Sequence, residues 1–146
     1  MLRTLLCLLL AAPLALAQSG TAQIDIFKKE SPALQKAADL AIAEVPGSSV
    51  LQSAKAVYLE EFGIVVSLEV ALEPVRNPFD VFKAPKQASQ AALNDKLKIV
   101  RDKMTRFLTQ KAPTLQSLGD TQSVAVVVHL FNSNPVDSPN LPRQVV

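Results

Sequence analysis

The stretch VYLEEFGIVVSLEVAL, residues Val57 to Leu72, decides the fold. Within it Ile64, Val66, Leu68, Val70 and Leu72 recur at every second position, with Ser67 and Glu69 between them. That is the period of a strand with one face buried. The preceding residues, Ala54 to Leu59, are apolar on both sides, Ala56 and Tyr58 on one and Val57 and Leu59 on the other. A strand apolar on both faces is expected at the centre of a sheet. Glu60 to Gly63 joins the two strands, so the stretch reads as a β-hairpin with Gly63 supplying a positive φ. A two-residue loop at Phe62-Gly63 would set Val57 and Leu59 on the face of Ile64 and Val66. A three-residue loop with Gly63 in a bulge would set Ala56 and Tyr58 there instead.

On the N-terminal side, Ser31-Pro32 pairs a favoured N-cap with the residue best tolerated at the first helical position. The spacing predicts a helix from about Pro32 to Val45, with Leu34, Ala38, Ala41, Ile42 and Val45 as its inward stripe and Pro46-Gly47 as its stop. Residues 18–30 are expected to be a flexible leader, in which Ile24 and Ile26 could add a short edge strand.

On the C-terminal side, Pro74 to Pro85 carries three prolines and reads as a loop, with Phe79 and Phe82 as its anchors. A long helix follows from about Pro85 to Lys111. Its residues Leu93, Leu97, Val100, Met104, Phe107 and Leu108 share one face. Pro113 ends it, Leu118 to Thr121 forms a turn, and Ser123 to Phe131 is a third strand rich in β-branched residues. Asn132 to Pro142 is polar and proline-rich. Arg143 to Val146 resembles the opening of a fourth strand, as in a truncated chain.

The expected fold is therefore an α+β two-layer sandwich, helix–strand–strand–long helix–strand with a possible truncated fourth strand, on a mostly antiparallel sheet. A crossover through the long helix would place the third strand beside the first, in order 2-1-3. Residues 31–131 form the single domain and 132–146 the Pro/Asn-rich loop with the start of a further strand.

Residues 1–17 combine Arg3, an apolar run from Thr4 to Ala12, Pro13 and Ala15-Leu16-Ala17, the pattern of a secretory signal cut after Ala17. The run is shorter than the about 20 residues needed to span a bilayer, so no transmembrane anchor is expected after cleavage. The protein would then be secreted, to the periplasm or the cell exterior. Cys7, the only cysteine, lies in this segment, so the mature chain would be free of cysteine and of disulfides, thiolate metal sites and cysteine nucleophiles. Without Arg3 the 15 basic residues fall to one more than the 13 acidic ones, a balance that gives no reason to expect a nucleic-acid partner.

No catalytic, cofactor-binding or metal site stands out. The glycines, at 20, 47, 63 and 119, stand singly at element boundaries and form no phosphate cradle. His129 is the only histidine and reads as an ordinary strand residue; Ser123, on its face, is six residues or roughly 20 Å away along a strand. Glu69 and Glu73 share a face but lie about 13 Å apart, too far for a glycosidase pair. Glu60 and Glu61 read as a solvated turn. The long helix carries Lys96, Lys98, Arg101, Lys103, Arg106 and Lys111 with Asp95 and Asp102 among them, and the i,i+4 pairs Lys98–Asp102 and Asp102–Arg106 make it an expected ion-paired solvent face. The expectation is a small exported, non-enzymatic binding or assembly module whose partner is another envelope or secreted protein. The alternatives are an exported hydrolase built around His129 and adhesion to anionic envelope polymers through the long basic helix.

Overall fold

The computed structural model describes residues 14–73, 89–132 and 141–146. Most of the expected signal, the Pro74–Pro85 loop with Phe79 and Phe82, and most of the Pro/Asn-rich stretch lie outside the described residues. The chain is α+β. Helix α1 (Leu14–Ala43) is followed by β1 (Ser49–Leu59), β2 (Gly63–Ala71), α2 (Gln90–Lys111), a single 3-10 turn (Ala112–Thr114), β3 (Ser123–Phe131) and a two-residue β4 (Gln144–Val145). The strands form one mixed sheet in order β1-β2-β3-β4, antiparallel except for the parallel β2–β3 pair.

The hairpin adopts the three-residue loop. Tyr58 pairs with Ile64 and Leu59 with Gly63, which sets Ala56 and Tyr58 on the inward face. Gly63 has φ +120°, a backbone that L side chains rarely adopt. Phe62 N–H donates to Leu59 O at 3.1 Å and closes the turn.

Two expectations about the sheet are corrected. The order is not 2-1-3: β2 is central and β1 is an edge. The cause is visible at Gly63, where an added Cβ would stand 2.2 Å from Ser123 O and 2.9 Å from Ser123 N. The start of β3 occupies the space that any side chain at 63 would fill, and Ser123 N–H donates to Phe62 O at 2.7 Å. Strand β1 is apolar on both faces, yet its outward Val57 and Leu59 are only about half covered, 52% and 47% exposed. Its pairing with β2 carries two register shifts, between Val50 and Gln52 and between Gln52 and Lys55, which make β1 irregular. Bulges of this kind discourage further strand addition.

The leader is also corrected, because residues 18–30 are helix. Phe27 extends the inward stripe of Leu34, Ala38 and Ile42 by two further turns and is itself buried. Pro32 lies inside α1 rather than at its start. Proline cannot donate to the carbonyl of residue 28, and the Ser31 hydroxyl reaches that carbonyl instead, at 3.5 Å. The residues read as an N-cap thus partly repair an interruption. At the other end Gly47 takes φ +69°, and Ser48 Oγ donates to Val45 O at 2.9 Å.

Both helices lie on one side of the sheet. Ile64, Val66, Leu68, Val70, Val126, Val128 and Leu130 point into the layer they share with Phe27, Leu34, Ile42, Leu93, Val100, Met104 and Phe107. Ser89 caps α2, its hydroxyl accepting from Ala92 N at 3.2 Å.

Gly63→Ala would place a side chain at a disfavoured φ and against the β3 backbone. We expect a loss of at least about 2 kcal/mol in chemical denaturation, from strain plus overpacking. A change below about 0.5 kcal/mol, the range of neutral surface substitutions, would contradict the close approach.

Candidate functional site

Three groups of side chains carry chemistry, and two of them hold the fold. The first gathers at the hairpin end. Tyr58, whose ring lies 5.8 Å from that of Phe27, donates its hydroxyl to Gln23 Oε1 at 2.7 Å and accepts from Gln122 Nε2 at 2.9 Å. Gln122 Nε2 also donates to Glu60 O at 2.6 Å, and its Oε1 accepts from Gly119 N at 2.9 Å. This amide ties the turn before β3 to the β1 end of the hairpin loop. Glu60 and Glu61 themselves are exposed, as a solvated turn should be.

The second group is a set of carboxylates on α1 that serve backbone donors. Asp39 Oδ1 accepts from Ala54 N at 2.7 Å, satisfying an amide at the bulged part of β1. Glu30 accepts from Gln116 N at 2.8 Å, Ser117 N at 3.2 Å and the fully buried Ser117 hydroxyl at 2.7 Å. Charge-assisted bonds of this kind are among the stronger ones a loop can have. None of these contacts could be found by local pattern, since Glu30 and Ser117 are 87 residues apart and Tyr58 and Gln122 are 64 apart.

The third group is the outward face of the sheet. Its cross-strand rows are Val57–Val65–Ala125, Lys55–Ser67–Val127 and Glu69–His129–Gln144, with Phe131 beside Ala71 at one end. The parallel pairing of β2 with β3 brings Glu69 and His129 into register, a neighbourhood that order 2-1-3 had kept apart. His129 is exposed and Glu69 half-buried, and among the described residues no hydrogen bond or ion pair joins them. Ser123 stands at the opposite end of the same strand, beside Gly63. Glu73 follows β2 and is half-buried. Among the described residues no three His, Cys, Asp or Glu side chains cluster as metal ligands.

The cations of α2 are not the ion-paired face expected of them. Neither Lys98–Asp102 nor Asp102–Arg106 closes to an ion pair among the described residues; exposed pairs gain little against the entropy of fixing two long side chains. Lys96 instead donates to Leu72 O at the end of β2, and Lys103 pairs with Glu44 across the two helices. The hydrogen bond from Lys103, reinforced by its charge and by that of Arg106, holds the Glu44 carboxyl below its ordinary value of 4.5.

Comparison with family models, with curated proteins and with solved structures finds no match to this chain.

Because the Glu44 value is lowered on folding, its contribution is present above pH about 4.5 and is lost as pH falls through the lower folded value. In an NMR titration Glu44 should have its midpoint below 4.5, and Lys103→Ala should return it toward 4.5. A Glu44 midpoint unchanged by Lys103→Ala would contradict the pairing.

Proposed function

We propose that this chain is a small exported binding or assembly module, non-enzymatic, whose partner is another envelope or secreted protein. The observation that carries the reading is the uncovered face of the sheet. Val57 and Leu59, on the edge strand, are 52% and 47% exposed and Phe62 at the hairpin loop 42%, together at one end of the sheet, with Phe131, 43% exposed, at the other. No helix among the described residues lies over them. Burial of apolar surface is the main force of association, and grouped exposed apolar side chains mark contact surfaces.

Export rests on the pattern of residues 1–17. Cleavage after Ala17 would leave Gln23, Phe27, Glu30 and Asp39 in place, so every α1 contact described above survives it. Among the described residues no helix is long and apolar enough to cross a membrane.

A hydrolytic reading is favoured by one observation, the in-register Glu69–His129 pair with Ser67 on the same face. Against it, His129 is exposed and lines neither of the two grooves described below.

Photo-crosslinking from position 57 in the native envelope tests the binding reading against a control position, Arg101 on α2. The expected result is a discrete protein adduct from position 57 whose yield falls about tenfold in Leu59→Glu, as for loss of an interface anchor. Equal adducts from both positions, or no effect of Leu59→Glu, would contradict it. So would turnover of an ester, phosphoester or glycoside by the purified chain that His129→Ala abolishes.

A further inference from the structure

The helix layer holds a second surface, away from the uncovered sheet face. Ala37, Leu40 and Ala41 of α1, with Glu44 just past its end, recur at i, i+3, i+4 and i+7 and face Lys103 and Arg106 of α2 across a groove of about 330 Å³. Lys111 lines both this groove and a second of about 150 Å³ that runs on to Glu30. The two therefore form one trench along α1 from Glu30 to Glu44. At 1.5 Å per residue its length is about 20 Å, close to four helical turns.

The chemistry of the trench is asymmetric. Its α1 wall is apolar and shallow, with small alanines and with Leu40 57% exposed, the most exposed large apolar side chain among the described residues of the two helices. The α2 wall is cationic. Lys103 is engaged by Glu44, whereas Arg106 and Lys111 have no ion pair among the described residues. Glu30, at the far end, is occupied by the amides of Gln116 and Ser117. Three cations thus face one anion in the larger groove, and the Lys103–Glu44 pair shows that a carboxylate can be held there.

We propose that this trench is the docking site for an acidic amphipathic helix of a partner protein. Lys103, Arg106 and Lys111 are spaced by about one and then somewhat more than one turn, the rise at which carboxylates recur along a facing helix. An apolar side chain on the same helix would cover Leu40. The combination separates a protein helix from a simple anionic polymer, which would use the cations and leave Leu40 in water.

The test is an NMR titration of the full chain with a synthetic 16-residue helix carrying Glu and Leu on one face, with the same helix bearing Lys for Glu, with polyglutamate, and with phosphatidylglycerol vesicles. The acidic helix should shift the amides of Leu40, Arg106 and Lys111. Arg106→Glu with Lys111→Glu should weaken it at least tenfold and raise the affinity of the Lys helix, and Leu40→Ser should weaken the acidic helix while sparing polyglutamate. The proposal is overturned if both helices bind alike, if the shifts lie outside the trench, or if Leu40→Ser has no effect. Binding to polyglutamate or to vesicles alone would overturn it in favour of an anionic surface. No shift with any probe would overturn it outright.

Discussion

The fold depends on a place where a side chain is missing. Gly63 lets the backbone of Ser123 come within 2.2 Å of where a Cβ would be, and the Ser123 amide closes on Phe62 O. Strand β3 can therefore begin against the first residue of β2 and run parallel to it in register for nine residue pairs, Gly63 to Ala71 with Ser123 to Phe131. The α2 crossover follows from that parallel pairing, because two parallel neighbours need a connection that returns along the sheet. With β3 seated on that side, β1 has β2 as its only strand neighbour among the described residues and becomes the edge.

Helix α1 closes the opposite side of the hairpin by a different means. Its apolar stripe supplies Phe27, Leu34, Ala38 and Ile42 to the core, but its polar residues do as much positioning. Gln23 meets Tyr58, Asp39 meets the amide of Ala54, Glu30 holds the loop before β3, and Glu44 reaches Lys103 on α2. Two surfaces of the described residues stay exposed, and they differ in kind. The sheet face sets exposed Val57, Leu59 and Phe131 among polar residues such as Lys55, Glu69 and His129, and the helix groove is rimmed by cations.

The periods of two and of about 3.6 carried most of the fold. Ile64 to Leu72 and Leu93 to Leu108 occupy the faces their spacing predicts, and the bulged register follows from the unfavourable positive φ of Phe62 in the competing loop. Strand order was not legible. Apolar residues on both faces of β1 pointed to burial on both sides, yet Val57 and Leu59 are half exposed, because two-sided apolarity also describes an edge strand with an open outer face. Residues 18–30 read as a leader because their single inward anchor, Phe27, stands seven residues before the next one, Leu34, with Pro32 between them. The Glu69–His129 neighbourhood is a property of the strand order, and no local pattern could have announced it.

The central claim is that β2 lies inside the sheet and β1 at its edge, and amide hydrogen exchange resolved by residue measures it directly. Strands flanked on both sides exchange only through larger openings, whereas amides on a free edge exchange through local ones. The account predicts that the amides of Val65 to Val70 are the slowest of the sheet and that outward-directed amides of β1 exchange orders of magnitude faster. Uniformly slow exchange along β1, with rapid exchange on one edge of β2, would place β1 at the centre and contradict it.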